Sequence, residues 1–170
     1  PAYRGPHWWW LNRTEKDDLA EEPWWHSGYE ENEWYLVPGN PDAEWRHNRC
    51  LMFSHGLQAG YVENKSEGKW AGFAQDGVYL KRGESYTFRG LMQAAPPLPP
   101  DVKCIPLKGP SFEVRVALYP EGEFTDPIRS KTFQIEEYVY RPFSCTFENV
   151  GFEGRATFSV WIPPGKALNV

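Results

Sequence analysis

The segment Ser111–Tyr119 constrains this chain more than any other, because it alternates strictly with period two. Phe112, Val114, Val116 and Leu118 fall on one side, and Glu113, Arg115, Ala117 and Tyr119 fall on the other. Successive side chains of an extended strand point to opposite faces, so this pattern is a strand with one face in a core. β-Branched and aromatic residues on the inward side fit a pleated, half-buried surface. A core-facing strand cannot stand alone, so the rest of the chain has to supply partner strands and a second layer.

Such partners are visible. Arg155–Ile162 places Ala156, Phe158, Val160 and Ile162 inward and Thr157, Ser159 and Trp161 outward. Ser85–Ala94 sets Tyr86, Phe88 and Met92 against Thr87, Arg89, Leu91 and Gln93. Further strands are expected near 34–37, 46–54, 70–75, 77–81, 128–136 and 143–148. Lys81-Arg82-Gly83-Glu84 and Pro120-Glu121-Gly122 carry turn residues. The proline-dense run Ala95–Pro110 reads as a loop or irregular crossover. Helix signals are thin: Thr14 could cap a short surface helix reaching Glu22. Nine or so short strands with turn punctuation predict an all-β fold, a β-sandwich or jelly roll of antiparallel sheets.

Length and charge narrow the function. A chain of 170 residues fits one domain, 1–170, with enough core to do without disulfide staples. A formal net charge of −5 argues against nucleic acid, which needs a basic face. No apolar run is long enough to span a membrane as a helix. The start at Pro1 carries no charged-then-apolar pattern, so no signal peptide is expected and the chain reads as a processed or excised piece. Cys50, Cys104 and Cys145 form no C-x-x-C pair. Buried thiols are favoured over one disulfide plus a free thiol.

Catalytic and metal signals are weak. His7, His26, His47 and His55 are scattered and match no zinc spacing. No metal ligand and no cofactor is assigned, although a structural calcium site stays open, since calcium takes loop oxygens without a fixed motif. Glu30, Glu31, Glu33, Glu136, Glu137 and Glu148 include no pair at recognisable glycosidase spacing. Glu113 beside Arg115 reads as a cross-face ion pair. Nucleophile elbows and phosphate-cradling glycine loops are absent. No catalytic residue is assigned.

The aromatics carry more. The chain holds 9 Trp, 9 Tyr and 10 Phe, and seven of the Trp lie within residues 1–45. Trp8-Trp9-Trp10 and Trp24-Trp25 are adjacent, and neighbours on an extended chain face opposite ways, so burial on one face cannot take them all. Indoles stack on the C–H face of a sugar, while amides, carboxylates and guanidinium groups satisfy its hydroxyls. Such groups stand beside Trp34, Trp45 and Trp70.

The stretch Trp70–Ala94 resembles the central hairpin of the jelly-roll carbohydrate-binding modules of the family 4 and 9 type. The resemblance rests on Gly72-Phe73-Ala74-Gln75 followed by Val78-Tyr79-Leu80-Lys81 and Gly83-x-x-Tyr86-x-Phe88. The later strands follow the family order over about residues 46–170, and the flavour is similar to the accessory domain of family 51 glycoside hydrolases, the α-L-arabinofuranosidase group. In that group Lys166–Val170 would be a last strand returning to the catalytic barrel. Residues 1–45 do not match and form a Trp-rich segment packing on the sandwich or extending it.

The resemblance implies a two-sheet sandwich that binds plant cell-wall polysaccharide in a groove without cleaving it, secreted and attached to a catalytic glycoside hydrolase domain. Among implied groove residues, Gln75 maps onto a polar position, Trp70 lies at the groove edge, and Tyr138 and Tyr140 stand where an aromatic is often carried. Arg89, Gln93 and Arg115 are added by strand parity, and Trp24, Trp25 and Trp34 as stacking aromatics. The ligands expected are xylan, arabinoxylan, β-glucan or cellulose. One alternative is a structural accessory domain that binds no sugar. A further alternative is a small jelly-roll glycosidase.

Overall fold

The computed structural model describes residues 35–49, 58–95, 108–137 and 141–169, with backbone alone for 45–49, 58–60, 91, 108–110 and 137. The candidates Trp24, Trp25, Trp34, Tyr138 and Tyr140, the Thr14 helix, Cys50 and Cys104 lie outside these residues.

Ten strands are described: β1 (Tyr35–Leu36), β2 (Ala43–Arg49), β3 (Gln58–Asn64), β4 (Ala71–Leu80), β5 (Tyr86–Ala94), β6 (Lys108–Pro120), β7 (Arg129–Glu137), β8 (Arg141–Phe147), β9 (Gly154–Ile162) and β10 (Lys166–Asn169). They form two five-stranded antiparallel sheets, β1-β4-β9-β6-β7 and β2-β3-β10-β5-β8. From β3 on, the chain crosses repeatedly between the sheets, which makes the molecule a jelly-roll β-sandwich.

The predicted alternation sets the core. Val114, Val116 and Leu118 of β6 and Val160 and Ile162 of β9 are all fully buried. Phe158 of the first sheet stacks on Phe88 of the second, with centroids 4.3 Å apart and planes 10° from parallel. Phe133 and Phe143 make an edge-to-face contact at 5.9 Å between the sheet edges β7 and β8. Cys145, buried in this core, is a free thiol, and burial pushes it up to about 11.

Several expectations change. The strands foreseen at 70–75 and 77–81 are one strand, β4, whose register with β9 slips between Gln75 and Val78. Gly77 sits there at φ 82°, a left-handed conformation that suits a β-bulge. The pair read as a central hairpin, β4 and β5, lies in opposite sheets, so Lys81–Ser85 is a turn between layers. The proline-dense loop ends sooner than expected, because β6 begins at Lys108. Pro110 falls where the β6–β7 register is irregular, a place where a strand tolerates a missing N–H.

Candidate functional site

Each sheet has one face on the core and one turned away from it. The first sheet's outward face gathers aromatics. Trp161 of β9 has Gly72 of β4 and Arg115 of β6 as its cross-strand partners. Its indole lies directly on Gly72: a Cβ there would meet ring carbons Cδ2 and Cε3 at 2.8 Å. Glycine is therefore what lets the ring settle flat on the strand. The indole Nε1 donates to Ser159 Oγ at 2.9 Å, and that hydroxyl donates to the Ala117 carbonyl at 3.2 Å. Phe124, from the β6–β7 turn, and Tyr119 stand against Trp161 at centroid distances of 6.2 and 6.1 Å. Tyr35 of β1 meets Phe124 edge-on at 6.4 Å. Trp161, Phe124 and Tyr35 are partly exposed.

Trp70 joins this shelf from the loop before β4. The Arg115 guanidinium carbon lies over its ring, 4.6 Å from the centroid. The ion pair expected between Arg115 and Glu113 is not formed; the guanidinium takes the aromatic face instead. A buried amide network holds the loop in place. Asn64 Nδ2 donates to the carbonyls of Lys69 at 2.8 Å and Ile162 at 3.2 Å. Asn40 Nδ2 donates to Asn64 Oδ1 at 3.1 Å and to the Trp70 carbonyl at 3.3 Å.

Two carboxylates on this face are already engaged. Asp76 Oδ1 accepts from Tyr35 at 2.8 Å and from Thr157 at 2.5 Å. Burial and this bond to a carboxylate push the Tyr35 phenol well above its ordinary value. Glu121 accepts from Arg155 at 2.7 Å and from the Gly77 amide at 3.2 Å. Burial also raises the Tyr119 phenol, while nearby Arg115 acts in the opposite sense. Among the described residues no three His, Cys, Asp or Glu side chains gather as a metal site.

The second sheet's outward face is different. Tyr61, Ala95 and Ala167 form a small buried cluster there. Asn169 Nδ2 donates to Gln93 Oε1 at 3.2 Å across the β10–β5 pairing, and both residues are buried. Asn169 Oδ1 is buried with no hydrogen-bond partner among the described residues. Toward the β8 edge the face opens: Thr87, Arg89 and Ser144 are exposed, and Thr87 and Thr146 share a hydroxyl contact at 2.9 Å.

The expected site residues thus divide. Trp70 and Arg115 are brought together on the first sheet. Arg89 and Gln93 lie on the second, because β5 and β6 are neighbours in sequence and not in space. Gln75 departs from its expected place in the groove. Its cross-strand partner is Phe158, a core residue, and Gln75 is 8% exposed, so it faces between the sheets. Trp161, Phe124 and Tyr35 were not singled out. Outward parity marked Trp161; nothing local marked Phe124, whose place comes from a turn folding back.

Comparison with solved structures bears on the same architecture. The chain is similar to a family 4 carbohydrate-binding module at 13% identity and TM-score 0.57, over 96% of this chain and 92% of that one. It is similar to the CBM22-1 xylan-binding domain of Paenibacillus barcinonensis Xyn10C at 9% identity and TM-score 0.55, over 82% and 81%. Arabinose-bound MgGH51 α-L-arabinofuranosidase matches at 10% identity and TM-score 0.58, over 81% of this chain and 22% of that one. These neighbours share a jelly-roll fold with this chain. At such identities the likeness is one of fold. No family model matches the sequence, and no curated protein matches it.

Proposed function

We propose that this chain is a non-catalytic carbohydrate-binding module. It binds plant cell-wall polysaccharide of the xylan, arabinoxylan, β-glucan or cellulose class and keeps an attached glycoside hydrolase domain on that substrate outside the cell. The observation that carries this reading is the shelf on the first sheet. Trp161 lies flat on Gly72, beside Arg115 stacked on Trp70. A flat, partly exposed indole offers the apolar surface a sugar ring needs, and the adjoining guanidinium supplies donors for hydroxyls. The neighbours' own descriptions support it: one is a xylan-binding domain, another an arabinofuranosidase bound to arabinose. The reading adds Trp24, Trp25, Trp34, Tyr138 and Tyr140 as further stacking residues; Arg89 and Gln93 are the polar contacts the sugar would have if it lay on the second sheet instead. It excludes nucleic acid and membrane as partners.

Affinity electrophoresis through gels containing each polysaccharide tests the proposal. The expected outcome is retardation in at least one gel that Trp161→Ala reduces about tenfold or more in affinity, as for an anchor aromatic. Unchanged mobility in every gel would remove the binding role. One observation favours a second reading, a structural accessory domain: the centre of the second sheet's outward face is buried. Titrating tryptophan fluorescence with oligosaccharides separates the two, since indoles that stack on sugar respond and indoles in a purely structural domain do not.

A further inference from the structure

The shelf has one feature that a neutral sugar does not require. Arg115 is a permanent cation set in the middle of an aromatic surface, next to Trp161 and over Trp70. Among the described residues no carboxylate pairs with it. Two acidic groups of this face are bound elsewhere: Asp76 by Tyr35 and Thr157, Glu121 by Arg155 and Gly77. Glu113 shares Arg115's strand and face, two positions away, and forms no ion pair with it. Across β9 the neighbour is Trp161, and across β7 it is Thr132; neither bears a charge.

A cation over an indole is held by the ring's quadrupole. The ring accepts none of its N–H bonds, so the guanidinium edge stays free for a planar, two-oxygen acceptor. A single hydroxyl uses one donor, whereas a carboxylate matches the fork with two parallel, charge-assisted bonds. The pairing with Trp70 also fixes the long Arg side chain before ligand arrives, which lowers the ordering cost of binding. The position of Trp70 is in turn set by the Asn40–Asn64 network.

We propose that this shelf selects an acidic sugar: a uronic acid unit whose ring stacks on Trp161 and whose carboxylate is received by Arg115. The proposal rests on the reading of the shelf as a sugar site. It goes beyond that reading by naming a charged sugar class and the residue that chooses it.

The experiment compares the full chain's affinity for a glucuronoxylan with its affinity for the same polymer after the carboxyl groups are reduced to hydroxymethyl. The reduced polymer keeps the backbone and loses only the charge. Loss of affinity on reduction is expected, about tenfold for a bidentate charge-assisted contact. Arg115→Gln brings the ratio of the two affinities to about one, whatever it does to each affinity by itself, and Arg115→Lys restores part of that ratio. Raising salt narrows the difference. Equal affinity for the two polymers, or a difference that survives Arg115→Gln with an unchanged thermal melt, overturns the acidic-sugar inference and leaves the carbohydrate reading intact. Failure to bind either polymer, together with the neutral polysaccharides, overturns both.

Discussion

The two outward faces of this sandwich each lie on five strands and have opposite character. On the first sheet, Trp161, Phe124 and Tyr35 are partly exposed, and Arg115 reaches Trp70. On the second, Tyr61 is 1% exposed, and Gln93 and Asn169 are buried beside it. A face with partly exposed aromatics can take up a ligand without moving anything else. A face already withdrawn from solvent offers little apolar area to a ligand, and Asn169 Oδ1 there has no partner among the described residues. Aromatic content alone therefore does not mark a binding surface. What separates the faces is which rings stay partly exposed, as Trp161 does while lying on Gly72.

The largest expected effect tests whether the faces depend on one core. Phe158→Ala removes the ring that stacks on Phe88 between the sheets. It should cost about 3–5 kcal/mol in chemical denaturation, as for other buried large-to-small changes. A cost below about 1 kcal/mol would mean that the stacked pair contributes little to joining the layers. The next compares the faces directly by isothermal titration with the best-retained polysaccharide. Trp161→Ala should weaken binding by about 1–3 kcal/mol, whereas Arg89→Ala and Gln93→Ala should each change it by less than about 0.5 kcal/mol. The opposite ranking would place the proposed sugar site on the second sheet.

The smallest effect comes from the core beneath both faces. The Cys145 thiol is raised from 9.0 to about 11 by burial. Its contribution to stability is complete below the unfolded value and is lost as pH rises through the folded one. At pH 10 the loss amounts to about 1 kcal/mol by linkage. Cys145→Ala should accordingly show a shallower fall in melting temperature between pH 9 and pH 11. Identical slopes would place the alkaline loss on other groups.

Much of the strand pattern could be read residue by residue, and the failures have physical causes. Strand β3 (Gln58–Asn64) was not foreseen because Tyr61, Val62 and Asn64 are all buried. A strand covered on both faces carries no inside–outside alternation. The break expected between 75 and 77 was a bulge rather than a boundary, since Gly77 kinks β4 without ending it. That same bulge bounds the stretch where Gln75 faces the core and Asp76 bonds to Thr157 on the outward side. Trp70 and Arg115 were both identifiable as candidates, one from its flanking motif and one from parity. Their contact was not identifiable, because 45 residues separate them and a loop places the indole.

The sequence by itself determined which way side chains point along β5, β6 and β9, because period two is a local property of an extended backbone. It likewise determined the turns at Gly83 and Gly122, whose positive φ values only glycine adopts cheaply. The tertiary structure alone decided which sheet each strand joins. Pairing between strands is non-local, and nothing within β5 or β6 records that they lie in opposite layers. That choice parts Arg115 from Arg89 and Gln93, and it brings Trp161, Gly72, Arg115 and Trp70 from distant parts of the chain onto one surface.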